Sequence, residues 1–279
     1  MKLALCNEVL RHLPFESQCA TAAALGYAGL ELAPFTLAED PSRLGAADGR
    51  RLRRIAADHG IVLASLHWLL AKPDGLSIAT ADPAQHARTV DVLKRLVDFA
   101  AACGADVLVH GSPTQRAPGP GQSIDDALAR VEAGLAELAP HAGAAGVVYC
   151  IEPLGPFETP VINTLAQAVA LVDRIDSPAL RTMLDVSAAS HAEDDDAPAL
   201  LRRYLPSGHI AHVQLNDHNR RGPGQGDTPI VPILQALREL DYRGWMAVEA
   251  FDYHPDAIGC AAFSGGFVRG VMQALGSVR

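Results

Sequence analysis

The sequence predicts an α/β protein folded as a (β/α)8 TIM barrel in a single domain spanning residues 1–279. Three observations predict it. Eight short aliphatic runs alternate with longer Ala/Leu/Arg-rich helical stretches along the whole chain. The runs mostly lack polar alternation, as do strands covered on both faces in a parallel sheet. A polar residue closes nearly every run, always at the same end of the repeating unit. The length also suits a barrel of about 250 residues.

The strand candidates, in order, are 3–6 (LALC), 29–33 (GLELA), 61–67 (IVLASLH), 106–110 (DVLVH), 147–152 (VVYCIE), 181–185 (RTMLD), 210–215 (IAHVQL) and 245–250 (WMAVEA). Helical patterns fill the gaps. In 82–104, Asp82 is placed to cap, Pro83 suits the first turn and Gly104 ends the helix. In 123–143, Ser123 caps and acids occupy the first turn. The stretch 191–199 (HAEDDDAPA) reads as a solvated acidic loop, and 261–279 reads as the last barrel helix with two glycines near its start. A doubly wound open sheet is the alternative, but CNEVLRHL after the first run lacks the glycine-rich phosphate turn common there.

The strand ends carry the chemistry. They fall at or near Glu31, His67, His110, Glu152, Asp185, Gln214 and Glu249. Glu31 to Glu249 is 218 residues over six steps, about 36 each, against about 35 for eight equal units of a 279-residue chain. In a barrel those ends converge on one mouth, where active sites form. Glu152, Asp185 and Glu249 would repel one another there unless neutralised. One divalent cation resolves this. An oxygen-rich donor set with an amide or nitrogen donor suits Mn²⁺, Mg²⁺ or Co²⁺.

Alternate residues share a strand face, so His212, Gln214 and Asn216 point the same way in HVQLN. Gln214 would give an amide oxygen to the cation, with His212 one step deeper. His67 and His110 are expected to touch substrate, or to form half of a second metal position with Glu152. Glu31 is expected either to touch substrate or to cap polar groups beneath the mouth. Phe35 and Trp68 would wall an apolar side. The Gly-rich segment 222–227 follows no phosphate-loop pattern and is read as a mobile loop over the mouth. The alternative for the acidic trio is a salt-bridge ring with Arg181 and Arg220.

Composition narrows the partners. Twenty-three Lys and Arg against 32 Asp and Glu leave a net charge of −9, which argues against nucleic-acid and anionic-membrane partners. Five widely spaced cysteines without a C-x-x-C read as reduced thiols in a cytosolic protein. MKLALCNEVL is apolar too briefly for a signal peptide, and no apolar run reaches membrane-spanning length. The expected setting is cytoplasmic.

These residues resemble the xylose isomerase-like TIM-barrel superfamily of sugar isomerases and epimerases. The carriers are CIEPLG (150–155), MLDVSAA (183–189), HVQLNDHNRRGPGQGD (212–227) and MAVEAF (246–251). In the ketose 3-epimerase branch one Mn²⁺-type ion is held by Glu, Asp, His and Glu, and the resemblance implies Glu152, Asp185, Gln214 and Glu249 here, with Mn²⁺ the expected ion and Mg²⁺, Co²⁺ or Zn²⁺ the alternatives. Gln214 departs from that histidine but agrees with hydroxypyruvate isomerase-like members. The resemblance implies Arg220 as a substrate-binding residue and Glu152 and Glu249 as the catalytic base and acid of a proton transfer through an enediolate. Ketose 3-epimerisation is the leading expectation, and the resemblance implies a small sugar or keto-acid substrate and a homo-oligomeric assembly. Aldose–ketose isomerisation of the hydroxypyruvate isomerase type, and dehydration of an inosose or 3-keto-sugar, are the alternatives. A sugar-binding protein without catalysis is disfavoured by the intact acid pair. Where members often read Asp-x-x-His after strand six, this chain has Ala188, and His191 lies three residues on. The missing histidine, the missing Asp-x-His pair and the acidic charge disfavour the DNA-repair branch.

Overall fold

The computed structural model describes residues 1–276. The last three residues of the expected C-terminal helix lie outside that range. Eight strands form where the aliphatic runs stand: β1 Lys2–Cys6, β2 Gly29–Leu32, β3 Val62–Leu66, β4 Val107–His110, β5 Val148–Ile151, β6 Leu180–Asp185, β7 Ile210–Leu215 and β8 Trp245–Val248. They pair in sequence order and β8 returns to β1, so the barrel is closed and parallel. Closure leaves no unpaired strand edge.

The helices are α1 Phe15–Ala24, α2 Ala46–Asp58, α3 Pro83–Cys103, α4 Pro113–Arg116, α5 Ile124–Ala145, α6 Leu165–Ile175, α7 Val186–Ala192, α8 Ala197–Tyr204, α9 Ile230–Glu239 and α10 Ala257–Ala274. Local chemistry sets several boundaries. Asp82 accepts from the Ala84 amide at the start of α3, and Gly104 ends it in the left-handed region at φ 73°. Ser123 accepts from the Asp126 amide at the start of α5. That helix runs past the expected stop at Gly143 and ends at Gly146, at φ 72°. Gly143 is not in the left-handed region, whereas Gly146 supplies the positive φ that a helix C-terminus uses. His191 and Ala192 belong to α7 and only 193–196 form the acidic loop. α10 begins at Ala257, so Gly265 and Gly266 fall mid-helix rather than near its start.

The main core lies between sheet and helices and takes one face of each strand, including Tyr149, Ile151, Leu184, Val213, Leu215, Met246 and Val248. The other face points into the barrel. Two small clusters fill it: Ala4, Cys6, Ala64, Trp245 and Ala247, and Val107, Val109, Cys150 and Met183. Cys150, Met183 and Ala247 stand two residues before Glu152, Asp185 and Glu249. The alternation of a strand therefore carries those carboxylates on the inward face at the carboxyl end. Among the described residues no helix is long and apolar enough to cross a membrane.

Candidate active site

Glu152, Asp185 and Glu249 meet at the mouth. One carboxylate oxygen from each lies within 4.8 Å of the others, and all three residues are buried. Among the described residues no Arg or Lys lies within 4.0 Å of these carboxylates. The salt-bridge ring is therefore absent. Arg181 turns to the carbonyls of Ser177 and Leu180, and Arg220 faces Glu158 at 3.8 Å. Burial, then the charges of Glu249 and Asp185, pushes the Glu152 carboxyl well above the usual range. Burial also raises Glu249, against the stabilising His67 hydrogen bond. Asp185 rises to about 6, chiefly through burial, although the Ala188 amide and the Asn216 side chain donate to it.

Gln214 joins this group from β7, paired in register with Asp185 on β6. Its Nε2 donates to Glu31 Oε1 at 2.7 Å, while its Oε1 is buried with no hydrogen-bond partner. A buried orphan carbonyl costs on the order of 1–3 kcal/mol unless something accepts its lone pairs. Three clustered carboxylates without an Arg or Lys partner, beside an orphan amide oxygen, fit a hard divalent cation. The residues able to hold one are the four singled out from the sequence.

The polar face of β7 is resolved group by group. His212 Nε2 lies 2.7 Å from Glu31 Oε2, deep in the barrel. Asn216 Nδ2 donates to Asp185 Oδ2 at 2.7 Å, and its Oδ1 accepts from the Ser187 amide. Glu31 also accepts from Ser65 Oγ and the Cys6 thiol. Burial alone would raise its carboxyl, but the His212 and His67 imidazoles outweigh this and hold it well below the usual range. Glu31 is therefore a fully buried anchor under Gln214 and His212, one layer beneath the mouth. This is the polar-cap alternative for Glu31, not the substrate contact.

His67 reaches the mouth. Its Nδ1 lies 2.9 Å from Glu249 Oε1 and its Nε2 lies 3.3 Å from Glu8 Oε2. His110 does not. Val107 and Val109 take the inward positions of β4, so His110 faces the helix layer, where its Nδ1 meets the Tyr149 hydroxyl at 2.7 Å. Burial, with the nearby Arg116 charge, depresses it to about 3. The expectation that His110 touches substrate, or shares a metal with His67 and Glu152, fails on this alternation.

Above the carboxylates, Trp68 forms a wall with Phe35 and Phe251, at centroid distances of 5.4 and 6.0 Å. The Arg220 guanidinium lies 4.4 Å over Phe251. Trp68, Ser112 and Arg220 all line this region with positive φ of 49°, 44° and 66°. Such conformations cost about 1–3 kcal/mol each and cluster at functional sites. The backbone at Gly111 approaches the site so closely that an added Cβ would strike the Glu152 carboxylate. Of the loop after β7, only Arg220 lines the mouth. Segment 222–227 is tied down instead: Asp217 accepts from the Gly226 and Thr228 amides, and Gln225 donates to the His254 carbonyl. His191 is exposed, tilted at 32° against His218 with ring centroids 4.0 Å apart and edge-on to Phe157, so it does not replace the absent histidine.

Four residues at the site were missed from the sequence. Glu8 follows β1, where CNE supplies the polar strand end that the count from β2 passed over. Glu158 and Phe251 lie in the loops after β5 and β8, six and two residues beyond the paired glutamates. Arg116, fully buried, donates to the Glu152 carbonyl at 2.6 Å and to the Ile162 carbonyl at 3.4 Å. It thus grips both ends of the loop carrying Glu158, and nothing in HGSPTQR marks it.

The family model described as "Xylose isomerase-like TIM barrel" matches residues 19–262. The chain belongs to that family. It is 25% identical over 216 residues to a Synechocystis sp. protein assigned as a ketose 3-epimerase, covering 74% of this chain and 70% of that one. A Streptomyces coelicolor protein assigned as a hydroxypyruvate isomerase is 28% identical over 252 residues, 85% of each chain. The solved structure of an L-ribulose 3-epimerase superposes with a TM-score of 0.83 at 22% identity, covering 99% of this chain and 96% of that one, and so shares its fold. The named relatives are isomerases and epimerases, and the chain is an enzyme of that class.

Proposed function

We propose that the protein is a metal-dependent sugar isomerase or epimerase, acting on a small ketose by proton transfer and inverting C3. The observation that carries this reading is the placement of Glu152 and Glu249 in one buried cluster with Asp185, beside the orphan oxygen of Gln214. Glu152, Asp185, Gln214 and Glu249 would hold the cation, with Mn²⁺ as the expected ion. When bound, the cation supplies charge neutralisation for the carboxylates and Lewis-acid polarisation of a carbonyl oxygen.

The remaining chemistry belongs to the chain. A C–H beside a ketone is acidic enough for a positioned carboxylate to remove. Glu152 takes the proton from C3, the electron pair moves into the carbonyl as an enediolate, and Glu249 delivers a proton to the opposite face. His67 holds Glu249 in place through its 2.9 Å contact. Asn216 and the Ala188 amide fix Asp185. Arg220, laid over Phe251, binds substrate oxygens, and the Trp68–Phe251 wall excludes water. The same pair moving a proton between C1 and C2 gives aldose–ketose isomerisation, the second reading. The Streptomyces relative matched over 85% of each chain favours it. A lyase on a 3-keto-sugar would use the same first step and then expel a β-hydroxyl. The setting is proposed to be cytoplasmic and the assembly a homo-oligomer.

Solvent exchange followed by NMR tests the reading. Metal-loaded protein is incubated in D₂O with free ketoses, inososes and hydroxypyruvate. Deuterium at C3 with a new stereoisomer is the expected result. Deuterium at C1 or C2 assigns the isomerase reading, and loss of water assigns a lyase. No exchange in any compound overturns the substrate class.

A further inference from the structure

We propose that Cys6, His67 and Glu249 form a second divalent-cation site, of the thiophilic Zn²⁺ or Co²⁺ class. It would lie beside the Glu152–Asp185–Glu249 cluster and share Glu249 with it. The inference rests on the proposed function only in this shared glutamate.

The geometry carries the proposal. One donor atom from each of Cys6, His67 and Glu249 lies within 4.8 Å of the other two, and all three residues are buried. His67 Nδ1 and Glu249 Oε1 are 2.9 Å apart. The Cys6 sulfur lies 3.1 Å from Glu31 Oε1, which is itself 3.9 Å from His67 Nδ1. Glu31 thus offers a fourth donor from below. Once the Cys6 thiol gives up its proton on binding, thiolate, imidazole and two carboxylates would bring three negative charges to a region shut off from water, which a divalent cation offsets.

A separate observation points the same way. His67 Nε2 and Glu8 Oε2 are buried without a hydrogen bond, yet face each other at 3.3 Å. With Nδ1 on a cation the ring must carry its proton on Nε2, aimed at the Glu8 carboxylate. Carboxylate–histidine–metal arrays use this arrangement to fix the imidazole tautomer.

The donors set the class of ion. The Glu152–Asp185–Gln214–Glu249 group offers only oxygen and suits a hard ion, whereas a cysteine favours Zn²⁺ or Co²⁺ over Mn²⁺ or Mg²⁺. Binding at Cys6 releases the thiol proton to solvent.

The test is a Co²⁺ titration of the metal-stripped full chain, followed by absorption and metal analysis. The expected result is two equivalents bound per chain, one accompanied by a thiolate-to-cobalt charge-transfer band. Cys6→Ser is expected to lose that band and bind a single equivalent, while Asp185→Asn keeps the band. One equivalent without the band in the unaltered chain overturns the second site and leaves the proposed function standing. A band that persists in Cys6→Ser also overturns it. No uptake at all overturns both. The unaltered chain decides by itself, so a variant that misfolds does not protect the proposal.

Discussion

Gln214 donates its amide nitrogen to Glu31 Oε1 at 2.7 Å, and this contact decides which end of the amide faces the mouth. An ionised carboxylate only accepts, so the NH₂ group must point down to Glu31 and the oxygen must point away. Glu31 stays ionised because His212 and His67 hold its carboxyl low against the cost of burial. The residue beneath the site thereby orients a residue within it.

Glu31→Gln removes that charge while keeping the shape. It leaves His212 without its carboxylate and lets the Gln214 amide turn. Breaking a buried pair in this way costs roughly 3–5 kcal/mol, and loss of a group that orients a metal ligand weakens metal binding about 10–100-fold. Urea denaturation and calorimetric Mn²⁺ titration measure the two effects. Unchanged metal affinity would sink the orienting role.

Glu152→Gln and Glu249→Gln are each expected to reduce turnover by roughly 10²–10⁴-fold, the usual contribution of a positioned acid or base. Circular dichroism should stay unchanged, because the amide occupies the same volume. Near-full activity in either variant would show that the proton is moved by another group.

The metal-free protein should lose stability as pH rises. Asp185 is lifted from 3.8 to about 6, first by burial, and Glu152 and Glu249 are also lifted well above the usual carboxyl range, for the same first cause. A carboxyl with a raised folded-state pKa is protonated in both states below its unfolded value. As pH climbs through the folded value the unfolded chain holds fewer protons, and stability falls. For Asp185 that window runs from about 4 to about 6, and the two glutamates act in the same direction. A bound cation cancels the repulsion, and binds better once its ligands are deprotonated. The Tm gap between Mn²⁺-loaded and chelator-treated protein is therefore expected to widen from about pH 5 to about pH 7. A constant gap would remove these carboxyls from the metal site.

Gly111→Ala places a methyl group against the Glu152 carboxylate. The cheapest relief is rotation of Glu152 out of the cluster, and a misplacement of about 1 Å can cost roughly 10²-fold in rate. Steady-state kinetics should show kcat falling with little change in Tm. A large Tm loss with normal kcat per folded molecule would mean that the backbone moved instead.

Much of this was legible in the chain. Eight buried strands read as apolar runs, and a polar residue at the ends of seven of them marked the mouth, because strand periodicity and the repeat of βα units are local signals. That reasoning located Glu152, Asp185, Gln214 and Glu249. It misjudged His110, whose position after an apolar run looked the same as that of His67. The difference is one residue of alternation: Val109 takes the inward position on β4, while His67 keeps the inward position on β3. Counting strand ends from β2 passed over Glu8, although CNE carries the same signal.

The sequence by itself determined the fold class and the carboxylate set, since both follow from short-range periodicity and residue chemistry. Only the tertiary structure decided which polar groups share a lumen and which orient others. Glu31, 183 residues from Gln214, sets the amide of a strand with which β2 does not pair. Arg116, with no strand end to announce it, clamps the loop of Glu158 through backbone carbonyls. Contacts between groups so far apart along the chain depend on where closure brings the strands. No local pattern encodes that distance.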